Sequence, residues 1–390
     1  MQTRPIPPDQ VISTILKHDR KTNSYKIALL RAIGDVVLAF PELDSFGLRV
    51  AIPLRNLAQY WMAYYWPFVD PVRPIWQGRR ARRDGRVRND MAFRPELTAF
   101  RREWEEVIGE TARPSDGFFL VNELRVPRKR AAYPRSFHKA YEKAIRAISR
   151  AIEYPIRYAG EGEWTVFPKP VRMSQLDEQQ VTPVPGTKSD DKCLLVPVAL
   201  WETFRRFSLW VEALSIHEWS LYTERVNQQP EIDRGVVYKL LTDRPDNRRP
   251  LTWERNQVEL LMMEGALFVC PWTGRVIKEG VPFDLDHLLP LAIYPTNELW
   301  NLMPSTPEFN QRVKRDRLPT AQRLARAQPY FVQNYEVYQV SSELKRALQE
   351  DASIRFPIQP RKVADFSVAL AHSVTTLIDQ VATARNVARF

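Results

Sequence analysis

The chain has 390 residues, enough to bury one large hydrophobic core or two ordinary ones, and its 44% hydrophobic and 11% aromatic content is that of a folding sequence. Lys and Arg number 57 against 46 Asp and Glu, a net charge of +11 that suits a polyanionic partner such as nucleic acid. Two cysteines, Cys193 and Cys270, exclude a disulfide framework and a four-cysteine zinc knuckle, and point to a reducing, cytoplasmic compartment.

Near the start, MQTRPIPPDQ lacks the apolar centre of a signal peptide, and no later run has the length of a membrane span. Helical periodicity begins with DQVISTILKHD and continues in SYKIALLRAIGDVVLAF, where Tyr25, Leu29, Ala32, Ile33 and Val36 recur on one face. GLRVAIPL reads as a strand, followed by the aromatic helix RNLAQYWMAYYWPF. Tyr60, Trp61, Tyr64, Tyr65 and Trp66 suit a base-stacking platform in type, but their spacing favours a core helix. The next stretch, QGRRARRDGRVRND, carries Arg79, Arg80, Arg82 and Arg83; Gly78 and Gly85 make it a loop or arm, either tracking phosphates or simply solvated.

A second basic stretch follows, and its helix FHKAYEKAIRAISRAI sets Phe137, Tyr141, Ile145 and Ile148 on one face against Lys139, Lys143, Arg146 and Arg150 on the others. EWTVFPKPVRM reads as a strand, and polar residues 174–192 as a linker or long mobile loop. Beyond it come a long aromatic-rich helical stretch from Val198, helices at 231–244 and 252–264, the short strand ALFVC, and a final amphipathic helix. The expected class is α+β, mostly helical, with a few short strands. The expected division is a mainly helical part with a basic arm over 1–173, the linker over 174–192, a helical segment over 193–265, a strand-and-helix module over 266–325 and a helical segment over 326–390.

Chemistry concentrates in that module, in FDLDHLLPLAIYPTNELWNLMPSTPEFNQRVKRDRLP. Asp286 and His287 end an apolar strand, Asn301 follows a loop, and Asn310 and Lys314 sit one turn apart on a basic helix with Arg312, Arg315 and Arg317. A carboxylate and an amide oxygen suit a hard divalent cation, and an adjacent imidazole suits proton abstraction from water. Neighbours on a strand point to opposite faces, so Asp286 and His287 serve one phosphate only where the strand ends or distorts. Lys314 would then contact a phosphate or stabilise developing charge.

In order and spacing these residues resemble the HNH (ββα-metal) endonucleases, in the variant where Asn replaces the last His. The resemblance covers about a sixth of the chain, roughly 266–325. It implies a ββα-metal nuclease module in the C-terminal half, embedded in a helical body. It makes Asp286 and Asn310 the ligands of Mg2+ or Mn2+, His287 the general base, and Asn301 the brace of the loop between the strands, with Asn297 in PTNEL its rival for that role. CPWTGRVI resembles the opening turn of such modules, but Thr273 stands where a second Cys would hold zinc, so no structural zinc is expected. The flanking segments KTNSYKIALLRAIGDVV and IPLRNLAQYWMAYYWPF also resemble bacterial HNH proteins of restriction and anti-phage systems, such as type II Zorya. That implies foreign or phage double-stranded DNA as substrate, with partner proteins of a defence system.

Two other readings stay open. One is a nucleic-acid-binding or adaptor protein on the same scaffold without catalysis; the other is an RNA-directed nuclease. Other chemistries fail on residue grounds: His217-Glu218 lacks the second His of a metalloprotease helix, and a Gly-rich phosphate loop is missing.

Overall fold

Amphipathic periodicity dominates the chain, and in the computed structural model 59% of it is helical against 9% strand. Described residues are 7–41, 43, 47–78, 81–83, 86–88, 90–177, 179–243, 251–294, 296–358 and 362–390. The class is α+β with small sheets. Two units emerge, Met1–Val121 with Ala132–Arg244 and Asn122–Ala131 with Pro245–Phe390. The main division thus falls near 244, not at 173, 192 or 265, and the second unit takes in a short segment from the first half.

In chain order the elements to residue 244 are α1 (Pro8–Lys17), α2 (Tyr25–Ala39), β1 (Arg49–Pro53), α3 (Leu54–Tyr65), β2 (Ala81–Arg83), β3 (Arg86–Arg88), α4 (Arg94–Ile108), α5 (Asp116–Arg125), α6 (Pro127–Arg130), α7 (Arg135–Arg157), β4 (Val171–Arg172), β5 (Val181–Pro183), β6 (Lys192–Pro197), α8 (Val198–Arg206), α9 (Ser208–Asn227) and α10 (Arg234–Thr242). α6 and the end of α5 belong to the second unit. Helix ends follow local chemistry: α4 opens with Pro95 in its first turn, where a missing N–H costs nothing, and closes on Gly109 in the left-handed conformation.

The first unit is built on aromatic burial. Trp61, Tyr64, Tyr65 and Trp66 are fully buried, and Trp219 of α9 meets Tyr65 at 5.0 Å between ring centroids. Tyr65 and Ser24 share a hydroxyl hydrogen bond of 2.9 Å, and Tyr64 donates to Asp35, so these polar tips are satisfied inside the core. The aromatic stripe is therefore core. The Arg-rich arm contains the β2–β3 antiparallel hairpin, with Arg82 and Arg83 in β2; Arg79 and Arg80 lie outside the described residues.

Residues 174–192 differ from the expected linker. They supply β5, the edge of a four-stranded sheet ordered β4-β6-β1-β5, in which β5 runs parallel to β1. The pairing is permitted by Gly47, where a Cβ would lie 2.5 Å from the Gln180 carbonyl oxygen. Asp191 then accepts two hydrogen bonds from Arg55, at 2.8 and 2.9 Å. Polar composition hid a strand because an edge strand needs few apolar residues. Only Val171–Arg172 of EWTVFPKPVRM is strand, and the long helix from Val198 breaks at Phe207.

The second unit adds α11 (Thr252–Met263), β7 (Phe268–Val269), β8 (Val276–Ile277), β9 (Asp284–His287), β10 (Leu302–Ser305), α12 (Pro307–Phe309), α13 (Ala321–Tyr338), α14 (Ser342–Arg355) and α15 (Val363–Ala384). Residues 266–325 share one core with the helices that follow, through Trp300, Met303, Phe331, Tyr335, Tyr338 and Leu377. Buried tyrosines fix the backbone around β10: Tyr335 donates to the Trp300 carbonyl at 2.6 Å and Tyr338 to that of Leu302 at 2.8 Å. Those two bonds tie the platform of the candidate site to the helical core.

Candidate active site

β9 and β10 pair antiparallel, with His287 opposite Leu302 and Asp286 opposite Met303. Strand alternation sets Asp284 and Asp286 on one face and turns His287 from it, and β9 ends at His287. After β10, Pro307 opens α12, which continues as a π turn over Asn310–Lys314. The wider turn is closed by a bond from Arg315 N–H to the Asn310 carbonyl at 2.8 Å, and Arg315 leaves it with a φ of 51°. The strand pair and the short helix bring Asn310 and Lys314 back onto the two aspartates.

Lys314 is buried, and its ammonium donates to Asp286 Oδ1 at 2.9 Å and to the His287 carbonyl at 2.7 Å. Trp272 donates from Nε1 to Asp286 Oδ2 at 3.2 Å. Burial raises the Asp286 carboxyl above the ordinary range, against the lowering pull of Lys314 and the two donors. The ammonium therefore stands as counter-ion at the carboxylate expected to hold a cation, bonded to Asp286 and to the strand backbone at His287.

Asn310 reaches the other aspartate. Its Nδ2 donates to Asp284 Oδ2 at 3.0 Å, and Gln311 donates to the same oxygen at 3.1 Å. Expected beside Asp286, Asn310 has its side-chain amide bonded to Asp284, two residues earlier on the same strand face. A cleft of about 410 Å3 opens there, lined by Leu251, Thr252, Arg255, Asp284, Leu285 and Asn310.

His287 is half-buried, and its Nε2 lies 2.7 Å from Asn297 Oδ1. An amide oxygen only accepts, so Nε2 carries the proton and Nδ1 of the neutral ring is the basic nitrogen. Burial pulls the imidazole below its ordinary range, and the nearby Lys314 charge adds to that, with the Asn297 bond opposing. The ring is held neutral and oriented. In the sequence Asn297 is only the rival of Asn301 for the loop brace, and PTNEL, with its helix-start or turn signal, does not announce a partner for His287.

Asn301 is fully buried and bonds loop backbone: it accepts from Leu289 N–H at 2.8 Å and donates to the Leu289 and Thr296 carbonyls at 3.0 and 3.3 Å. Its side chain thus spans the loop between β9 and β10. Arg312 and Arg315 are exposed, while Arg317 is half-buried and donates to the Val313 carbonyl. Cys270 is buried, and its sulfur accepts from Thr306 N–H at 3.4 Å at the start of α12. Trp272, from the turn between β7 and β8, reaches Asp286, a contact that the sequence pattern does not announce.

Among the described residues no helix is long and apolar enough to cross a membrane. No curated protein and no solved structure matches the chain. Residues 2–241 match the model of a Domain of unknown function (DUF8808), a stretch that ends before the cluster on β9 begins. That match spans well over half of the sequence, and the chain belongs to the DUF8808 family.

Proposed function

We propose that the second unit carries a metal-dependent endonuclease site that hydrolyses phosphodiester bonds of double-stranded DNA, by cutting or nicking. One observation carries the reading. Two strand carboxylates, Asn310 and Lys314 converge on one face of β9, at whose end stands an imidazole held neutral with Nδ1 as its basic nitrogen. The HNH-like order of the same residues supports it.

The donor set fits a hard cation: Asp284 and Asn310 are in contact at the cleft, and Asp286 adds a second carboxylate on the same face. Among the described residues no group of three or more His, Cys, Asp or Glu converges, so Mg2+ or Mn2+ would keep water and substrate oxygens in much of its coordination. When bound, such a cation supplies charge stabilisation at the phosphate and the leaving oxygen.

The chain's own residues do the rest. His287 takes the proton of the attacking water at Nδ1 as its oxygen bonds to phosphorus and the bond to the leaving sugar oxygen breaks. Asn297 holds the ring, and Asn301 holds the loop that carries both. Lys314 pairs with Asp286, opposes the effect of burial on its carboxyl and holds it in place. Arg312, Arg315 and Arg317, with the arm residues Arg79, Arg80, Arg82 and Arg83, supply charge for phosphate contacts. By resemblance of the flanking chain, the substrate is foreign DNA met in the cytoplasm, with partner proteins of an anti-phage system.

The Lys314–Asp286 pair favours one other reading, a DNA-binding protein whose cation position is permanently filled by its own ammonium. Supercoiled plasmid with Mg2+ or Mn2+ separates the two. Relaxed or linear product from wild type, absent with His287→Ala, supports the nuclease. Binding in EDTA with intact plasmid at every divalent metal supports the second reading. Preferential cleavage of matched RNA would move the substrate class to RNA.

A further inference from the structure

The cleft beside Asp284 and Asn310 has a wall from outside the β9–β10 module. α11 enters it with its first turn, contributing Thr252 and Arg255, and Leu251 precedes them. Arg255 is the cationic side chain of the lining, facing an aspartate and an amide.

Its guanidinium is held in advance. Nε donates to Glu259 Oε1 at 2.9 Å, one turn along the same helix. Nη2 makes a long contact with the Phe283 carbonyl at 3.4 Å, and the group lies over the Phe283 ring at 4.6 Å from its centroid. Phe283 immediately precedes Asp284, so the residue that orients Arg255 is joined to the one that bonds Asn310. Nearly half of the Arg255 side chain, 46%, remains exposed. A fixed, half-exposed guanidinium with donors to spare is suited to phosphate oxygens, and the positive end of the α11 dipole reinforces it. Asp284 on the opposite wall repels an anion that lacks a counter-ion, which leaves Arg255 as the side of the cleft where a phosphate group seats.

We infer that Arg255 is a positioning residue that binds a non-bridging phosphate oxygen of a DNA strand in this cleft. The inference rests on the proposed nuclease reading for its ligand, but it is read by binding, with no cleavage required. The test measures affinity of full-length protein for a mixed-sequence DNA duplex in EDTA, from 50 to 200 mM salt, for wild type, Arg255→Ala and Arg255→Lys.

One lost phosphate contact lowers the slope of log K against log salt by about 0.9. We expect that drop for Arg255→Ala, with about three- to tenfold weaker binding, an intermediate affinity for Arg255→Lys and an unchanged melting temperature. Equal slopes and affinities in all three proteins, or no wild-type binding, overturn the assignment. Plasmid cleavage scored in parallel separates the two claims. An Arg255 effect on binding with no wild-type cleavage retains the phosphate contact and sinks the nuclease. Wild-type cleavage with indifferent Arg255 variants sinks only the contact.

Discussion

The α3 region and the β9 region both bury conspicuous side chains, for different physical reasons. Around α3, Trp61, Tyr64, Tyr65 and Trp66 are buried because their rings remove large apolar areas from water, and the hydroxyls of Tyr64 and Tyr65 find partners. Around β9, Asp286, Lys314 and Asn301 are buried although burial disfavours them, since each needs partners to offset lost hydration. A packed apolar residue accounts for itself. A buried ion pair beside an imidazole is a costly arrangement that a hydrophobic replacement would often match in stability, and its presence supports the reading of the site as chemical.

Substitution tests that comparison, beginning with the largest effect. Trp61→Ala should cost about 3–5 kcal/mol, as loss of a fully buried ring does, without a specific effect on the β9 site. Lys314→Met should cost a similar amount, about 3–5 kcal/mol, because Asp286 is left buried and uncompensated. Here the regions part: adding Asp286→Asn to Lys314→Met should recover most of the loss, whereas no second change replaces the ring at Trp61. Urea unfolding of wild type and the three variants reads this directly, and a double variant no better than Lys314→Met would break the contrast.

Glu298, between Asn297 and the core, gives the next effect. It is buried and bonded by Trp300 Nε1 at 2.5 Å, and burial, helped by Asp351, raises its carboxyl from 4.5 to about 7. A folded-state value above the unfolded one means the native protein holds the proton more tightly. Its stabilising contribution is therefore complete below about 4.5 and lost as pH rises through about 7. Glu298→Gln should flatten stability across that window and gain on the order of 2–3 kcal/mol relative to wild type at pH 8. A parallel pH profile for both proteins would contradict the burial argument.

Asn301→Ala removes three bonds to loop backbone and should cost about 2 kcal/mol, read by melting temperature. His287→Ala should be the smallest change in stability, under about 1 kcal/mol, since a half-buried ring with one side-chain bond is lost. Its effect belongs to rate. Because burial lowers the imidazole below its ordinary range, the acid-side fall in cleavage should come at a lower pH than an unperturbed imidazole gives.

How much of this is legible in the sequence follows the same divide. The aromatic core of α3 can be read from spacing alone, because burial of rings depends on the local helix face. Asn301 as a brace comes from the HNH resemblance and not from spacing or composition; its side chain bonds the Leu289 and Thr296 backbone. The partner of Asn310 is not legible. A π turn, which residue types do not announce, sets how far the helix carries each side chain and directs Asn310 to Asp284 and Lys314 to Asp286. Nor is β5 legible within a Pro- and Asp-rich stretch, since its pairing depends on β1, more than a hundred residues earlier.

The central claim is that Asn310 and His287 serve one hydrolysis in different capacities, one toward a cation and one toward a proton. Plasmid cleavage across a Mn2+ series, with melting temperatures for Asn310→Ala and His287→Ala, tests it most directly. Asn310→Ala should lose most activity at low Mn2+ and regain part of it at high Mn2+, because added metal offsets a weakened ligand set. His287→Ala should lose about 10²–10⁴-fold and regain nothing, because metal does not replace the base. Both should melt near wild type. Equal, metal-independent losses with a large fall in melting temperature would mean that these residues serve the fold and not a reaction.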